Sequence, residues 1–139
     1  MSTRCLIGYQ KENGEVESVY CHFDGYLSGV GKMLVDNYVS ENKIQELIMG
    51  GDFSSLEKDI SDIRYYGNKP RFYNSEYQFV DDADPLYHEY LYKFVSHDAN
   101  NKAKGRWQVS RGKSIEVEGG YKKLAYYYTE FTTLVSEGS

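Results

Sequence analysis

The stretch RCLIGYQKENGEVESVYCH, residues 4–22, decides the fold of this chain. It predicts two strands, Arg4–Gln10 and Val16–His22, joined by the turn formers of KENGE. A three-residue loop places its glycine in the left-handed conformation that such loops require, and Cys5 then faces Cys21. A two-residue Asn-Gly turn would instead put the two cysteines on opposite faces. The apolar pattern favours the first register, because a slip of one residue would expose half of the apolar side chains.

Two helices are predicted after this hairpin. The first has apolar residues at helical spacing, namely Leu27, Val30, Leu34 and Tyr38. The second begins at Ser40, a good N-cap residue, and ends at Gly50-Gly51. Its apolar face consists of Ile44, Leu47 and Ile48. The segment GDFSSLEKDI, residues 51–60, predicts a short third helical piece.

The second half of the chain predicts further strands and a closing helix. A short strand is expected at Tyr77–Val80, and YHEYLYKFV with RWQVSRG predicts a second hairpin over 88–111. The closing amphipathic helix would carry Tyr121, Leu124, Tyr128, Phe131 and Leu134 or Val135. The sequence therefore predicts a single compact α+β domain, residues 1–139. In it an N-terminal β-hairpin and two helices precede further antiparallel strands and a C-terminal helix.

The composition argues against several classes of protein. With a net charge of −5 and a sequence pI near 5.2, the 139-residue chain is not expected to bind nucleic acid directly. Two cysteines do not make a disulfide framework, and no segment approaches the roughly 20 apolar residues that span a bilayer. We therefore expect a cytoplasmic protein with reduced thiols and no membrane partner. Tyrosine, which is favoured at protein interfaces, occurs 15 times and is the unusual feature.

The segment CHFDGY, residues 21–26, places a histidine and an aspartate at a predicted strand end. His22 and Asp24 could bind a metal or serve acid–base catalysis. A metal site needs three or four ligands, however, and the other histidines do not stand at a zinc-type spacing. Cys21 and His22 would not meet as a thiol–imidazole pair, because adjacent strand residues point to opposite faces. The alternative is an Asp-Gly turn into the helix, so no catalytic residue, metal or cofactor is predicted.

Two further groups of residues are candidates for binding. Aromatic residues in an acidic segment suit a protein interface. The candidate partner-binding residues are Tyr65, Tyr66, Phe72, Tyr73, Tyr77, Asp81, Asp82 and Asp84. Arginines beside a tryptophan can stack on the bases of a nucleotide. The candidate ligand-binding residues are Arg4, His22, Tyr26, Arg106, Trp107 and Arg111. The alternatives are an ordinary acidic loop for the first group and a core tryptophan between solvated arginines for the second.

The first 56 residues resemble a family of small proteins that are common in bacteriophages and prophages. The family pattern is Thr-Arg-Ser, Ile-Gly, G-x-V-x-x-IYCHWDGYP, a VG-x-x-L helix and GD-x-SSL. The chain matches it at Thr3, Arg4, Ile7, Gly8, Gly14, Val16, Tyr20, Cys21, His22, Asp24, Gly25, Tyr26, Val30, Gly31, Leu34, Tyr38, Gly51, Asp52, Ser54, Ser55 and Leu56. It departs from the pattern at Cys5, Phe23 and Leu27, where the family has serine, tryptophan and proline.

This resemblance implies an accessory protein of a mobile genetic element, acting in the cytoplasm of the bacterial host. By analogy with other small acidic phage proteins, we expect an anti-CRISPR or other anti-defence inhibitor that binds a host defence protein or nuclease complex. The alternative is a protein that sequesters a nucleotide messenger of the defence response. A third hypothesis is a small enzyme that uses His22 and Asp24.

Overall fold

The computed structural model describes residues 2–96, 106–117 and 123–134. Within them the helical elements are a π-helical turn at Leu27–Gly31, α1 at Lys32–Asn37, α2 at Glu41–Met49, a 3₁₀ turn at Ile60–Asp62 and α3 at Glu76–Asp82. The strands are β1 at Arg4–Gln10, β2 at Val16–Cys21, β3 at Arg71–Tyr73, β4 at His88–Val95, β5 at Arg106–Val117, β6 at Lys123–Tyr128 and β7 at Thr132–Thr133. The prediction of an α+β fold is confirmed.

The strands form one mixed sheet in the order β3-β2-β1-β4-β5-β6, with β7 also paired to β5. β4 and β5 are the antiparallel pair predicted over 88–111, in which Phe94 faces Trp107. β4 runs parallel to β1, which the sequence did not indicate. A parallel neighbour requires a long crossover, and the helices between β2 and β4 supply it.

The N-terminal hairpin has the predicted register. Cys5 pairs with Cys21 and Ile7 with Val19, and all four side chains are fully buried. Gly14 adopts a φ of 92°, the left-handed conformation that the three-residue loop requires. This register places these four side chains on the face that the helices cover, whereas Leu6 and Val16 pack on the opposite face.

One face of the sheet packs against α1 and α2 and holds the larger core. α2 begins at the predicted residue, because Ser40 Oγ accepts a hydrogen bond from the backbone N–H of Lys43 at 3.2 Å. The predicted apolar residues buried here are Val30, Leu34, Tyr38, Ile44, Leu47 and Ile48. Leu27 stays exposed in the π-helical turn. Burial of this set provides the main driving force for packing the helices on the sheet.

The helix α3 partly covers the opposite face of the sheet. The sequence predicted a strand, not a helix, for these residues. The prediction of a strand at Tyr77–Val80 is wrong, because Ser75 Oγ caps a helix by accepting from the backbone N–H of Gln78 at 3.2 Å. Phe79 and Ala83 lie one helical turn apart, and both side chains are buried against the sheet. Their contacts on the sheet are with Leu6, Val16 and Leu91.

The predicted C-terminal helix is wrong as well. The described residues 123–134 instead form β6 and β7, which both pair with β5. Tyrosine and threonine favour strands, and the free edge of β5 provides the partner that this preference needs. Of the predicted helical residues, Tyr121 and Val135 lie outside the described residues.

The third helical piece predicted over 51–60 is also absent from that segment. Phe53 is extended and forms single bridges with Cys21 and with Tyr65. Its backbone N–H donates to the oxygen of Tyr20 at 2.9 Å. Sheet-like pairing with β2 therefore overrides the local pattern, and helical structure is confined to the 3₁₀ turn.

Candidate functional site

The predicted partner-binding residues divide into two groups in the structure. Tyr65 and Tyr73 are half-buried. The Tyr65 hydroxyl donates to the backbone oxygen of Leu47 at 3.3 Å, and the Tyr73 hydroxyl donates to Asp82 Oδ2 at 2.6 Å. The exposed residues are Tyr66, Phe72, Tyr77, Asp81, Asp82 and Asp84. Only the exposed group presents side chains that a partner could cover.

Part of the exposed group lies on α3 and on the turn that follows it. We call this the acidic surface and define it as Tyr77, Asp81, Asp82, Asp84 and Leu86. Tyr77 is 77% exposed and Leu86 is 63% exposed. In the described part of the chain, no ion pair involves any of the three carboxylates. The acidic surface thus combines uncompensated negative charge with exposed apolar side chains.

A cleft of about 290 Å³ lies beside the acidic surface. Its floor includes Leu6 and Ser18, on the side of β1 and β2 that faces away from α1 and α2. Its walls come from β2, β3, α3 and the start of β4, and they are Tyr20, Arg71, Tyr73, Asp82, Tyr87 and His88. Aromatic and charged side chains from distant parts of the chain therefore converge at one place.

A buried carboxylate fixes one wall of the cleft. Asp52 is 4% exposed, and its two oxygens accept hydrogen bonds from Arg71 at 3.3 Å each. Asp52 Oδ1 also accepts from the backbone N–H of Tyr20 at 2.8 Å, and Asn68 Nδ2 donates to Oδ2 at 3.1 Å. The side chain of Arg71 remains half exposed, so the pair orients its guanidinium without removing it from solvent.

A second arginine borders the opposite wall. The Arg4 guanidinium carbon lies 4.4 Å from the ring centroid of Tyr87, in a cation–π contact. Arg4 Nε is buried and has no hydrogen-bond partner in the described part of the chain. No carboxylate of the described residues forms an ion pair with Arg4. Arg4 is therefore a half-buried cation whose charge is not neutralised there.

The histidine in the cleft is held neutral. Burial lowers the pKa of His88 below its ordinary value of 6.5. Asp84 and Asp82 oppose this shift, whereas Arg71 and Arg4 add to it. His88 Nδ1 accepts a hydrogen bond from the backbone N–H of Asp84 at 3.2 Å. The proton of the neutral ring is then on Nε2. Burial also raises the pKa of the Tyr20 hydroxyl, which stays protonated at neutral pH.

His22 and Asp24 are not brought together as a catalytic pair. His22 Nδ1 is hydrogen-bonded to the Tyr20 hydroxyl at 2.6 Å, and Nε2 to Ser2 Oγ at 3.4 Å. Asp24 Oδ1 instead accepts from the exposed Tyr26 hydroxyl at 3.1 Å. Asp24 has a positive φ of 58° and its backbone oxygen accepts from the N–H of Val30, as expected of a turn that leads into the helix.

The remaining predicted ligand-binding residues are dispersed. Trp107 is buried, and its Nε1 donates to the backbone oxygen of Tyr38 at 2.9 Å. Arg111 lies over the ring of Tyr90 at 5.2 Å, and Arg106 is exposed at the start of β5. Of the six residues in that prediction, the structure brings only Arg4 and His22 to the vicinity of the cleft.

Sequence reasoning missed Asp52, Tyr20, Tyr87 and His88. These residues come from separate elements, so no local spacing relates them. The one available signal was the density of tyrosine and histidine in YHEY, which was interpreted as a strand pattern. Within the residues that the structure describes, no group of three His, Cys, Asp or Glu side chains could hold a metal ion.

Comparison of the chain with known proteins finds no match. No family model, no curated protein sequence and no solved structure matches this chain. None of the helices in the described ranges has the length and apolar character that crossing a bilayer demands.

Proposed function

We propose that this protein is a bacteriophage or prophage accessory protein that inhibits a host defence system by binding a host protein through the acidic surface. The observation that carries the proposal is the exposed group of Asp81, Asp82 and Asp84, which lacks ion-pair partners in the described residues. The resemblance to phage proteins supports the biological setting.

The chemistry of the surface selects the kind of partner. Covering three carboxylates is costly unless the partner supplies cations, so the partner would present lysines and arginines. Tyr77 would be the central anchor, because large exposed aromatic residues dominate binding energy at interfaces. A nuclease or another defence enzyme with a basic nucleic-acid groove has this chemistry. The acidic surface would occupy the groove in place of nucleic acid.

A phage infection assay tests this function. Bacterial strains that each carry one nuclease-based defence system are infected with a phage that the system blocks, with and without expression of the protein. We expect expression to restore plaque formation in at least one strain. The variant Tyr77→Ser, Asp81→Asn, Asp84→Asn should lose this effect. A matched control is Tyr127→Ser, Asp59→Asn, Asp62→Asn, which removes the same groups from exposed positions elsewhere and should keep it.

Two outcomes would count against the proposal. Failure to restore plaques in every strain of a broad panel would contradict the inhibitor function. Full activity of the Tyr77 triple variant would contradict the assignment of the acidic surface. Binding of the host protein should also weaken at high salt. Added salt shortens the screening length, which is about 8 Å at physiological ionic strength, and so weakens the attraction between exposed charges.

A further inference from the structure

We infer that the cleft is a binding site for a small ligand that joins one anionic group to a flat ring, with about the size of a mononucleotide. The inference goes beyond the proposed function, because it concerns residues that the acidic surface does not need. Only Asp82 belongs to both the cleft and the acidic surface.

The unneutralised charge of Arg4 indicates an anionic ligand. A buried N–H without a partner is unfavourable, and the cation–π contact with Tyr87 offsets only part of the desolvation of the guanidinium. Arg4 is not itself part of the cleft lining, but its guanidinium lies over the ring of Tyr87, which lines the cleft. An anion held beside Arg4 would therefore lie at the cleft.

Other donors surround the same space. Arg71 lines the cleft and uses two of its five N–H groups on Asp52, which leaves three for a ligand. The Nε2–H of His88 is a further donor, because Nδ1 is already an acceptor. The hydroxyls of Tyr20 and Tyr87 lie 3.3 Å apart and add two more polar groups. This set suits the oxygens of a phosphate or a carboxylate.

The aromatic rings and the volume of the cleft limit the part of the ligand that is attached to the anionic group. Flat ring systems bind by stacking on aromatic side chains, and the walls of the cleft offer the rings of Tyr20, Tyr73 and Tyr87. A volume of about 290 Å³ lies just below the usual range of small-molecule sites, about 300–1,000 Å³. This volume suits one ring system with one attached group.

The acidic residues nearby restrict the ligand charge. Asp82 lines the cleft and Asp84 adjoins His88, so both would repel a ligand with several negative charges. A monoanion placed near Arg4 avoids that repulsion, whereas a nucleoside triphosphate does not. Two sources supply the shared chemistry, namely 3′,5′-cyclic mononucleotides and aromatic carboxylates, which are both monoanions, whereas a monoester such as AMP is close to a dianion at neutral pH.

Titration calorimetry on the full chain tests the inference. The probes are 3′,5′-cyclic AMP and GMP, AMP and GMP, 4-hydroxybenzoate, ATP and inorganic phosphate. We expect at least one monoanionic probe with a ring, a cyclic nucleotide or 4-hydroxybenzoate, to bind at least tenfold more tightly than ATP and inorganic phosphate, with AMP and GMP in between. Preference for the nucleotides or for the carboxylate then identifies the source.

Substitutions locate the binding in the cleft. Arg4→Gln should weaken binding by roughly tenfold to a hundredfold, the equivalent of one charged hydrogen bond. Arg111→Gln is the matched control, because Arg111 also stacks on a tyrosine but lies away from the cleft, and it should bind like the wild type. Tyr87→Leu, at an exposed position, gives a second test if Arg4→Gln does not fold.

Several outcomes would overturn the inference. They are the absence of binding by every ring-bearing probe at millimolar concentration, equal binding of inorganic phosphate, and wild-type affinity in both cleft variants. The Tyr77→Ser, Asp81→Asn protein, which retains Asp82 and Asp84, should keep the ligand. Loss of the ligand in the cleft variants with retained plaque formation would separate the two sites.

Discussion

Replacement of Asp52 by alanine should destabilise the protein and loosen the cleft. Its buried carboxylate binds two parts of the chain that are distant in sequence, β2 and the segment 68–71. Oδ1 accepts from the backbone N–H of Tyr20 on β2, both oxygens accept from Arg71 on β3, and Oδ2 accepts from Asn68 in the loop before β3. β3 is an edge strand of only three residues, so few other bonds hold it in place.

The expected loss follows from these contacts. The orphaned N–H of Tyr20 would cost about 1–3 kcal/mol. The ion pair with Arg71 contributes about 0.5–1 kcal/mol, since the guanidinium is half exposed and screened by solvent. The exposed amide of Asn68 adds about 0.5–1 kcal/mol. Asp52→Ala should therefore lower the free energy of unfolding by about 2–5 kcal/mol, a large part of the 5–15 kcal/mol typical of proteins.

Urea denaturation followed by circular dichroism measures this loss. Asp52→Asn keeps an acceptor for the Tyr20 N–H, so its free energy of unfolding should lie between those of Asp52→Ala and the wild type. Asp62→Ala is the control, because its side chain is exposed and should change stability by less than about 0.5 kcal/mol. If Asp52→Ala loses less than about 1 kcal/mol, the carboxylate does not hold β2, β3 and the loop together, and our reasoning is refuted.

Three further predictions concern other parts of the structure. Gly51→Ala should cost about 3 kcal/mol or more, because a Cβ there overlaps the backbone oxygen of Asn68. Gly67→Ala, at a similar positive φ in open space, should cost only about 1–2 kcal/mol, and equal losses in urea denaturation would contradict the steric argument. Lys93→Met should lower the free energy of unfolding by about 1–3 kcal/mol. Burial lowers the pKa of the Lys93 amine, but its Nζ donates to Gln10 Oε1 at 2.6 Å and pairs with Glu76 Oε1 at 3.7 Å, and methionine removes both contacts; a gain in stability would contradict this. Because the pKa of His88 in the folded state lies below 6.5, the unfolded state takes up the proton first. The free energy of unfolding should therefore fall as the pH drops from about 7 through 6.5, and denaturation curves of His88→Asn should show a weaker fall.

The parts of the fold that the sequence predicted are those that local patterns determine. The register of the hairpin follows from a turn of fixed length and from strict alternation, which place Cys5 opposite Cys21. α2 follows from a capping serine, a helical stripe and a terminal glycine. In each case the determining residues lie in one continuous segment, residues 4–22 for the hairpin and 40–50 for α2, so the local sequence contains the whole signal.

The errors occur where pairing over long distances competes with a local pattern. The described segment 123–134 has a partly helical spacing, but the edge of β5 pairs with it and its tyrosines and threonines favour a strand. In the segment 77–80 the alternation of aromatic residues suggested a strand, whereas a capping serine and the burial of Phe79 on the sheet produce α3. The cleft was unpredictable for the same reason, because its walls depend on the parallel pairing of β4 with β1.

The segment CHFDGY also shows why a motif that suggests catalysis can be structural. The backbone N–H of Gly25 donates to the oxygen of Thr3, and its own oxygen accepts from the hydroxyl of Tyr92 at 2.7 Å. A Cβ on Gly25 would lie 2.8 Å from that Thr3 oxygen, so the close approach requires glycine. The segment thus fixes the start of the helix to β1 and β4.

A folded chain pairs its buried charges because leaving them unpaired is costly. The half-buried Arg4, which has no ion pair in the described residues, is therefore a better indication of a ligand than the histidine and aspartate of this segment.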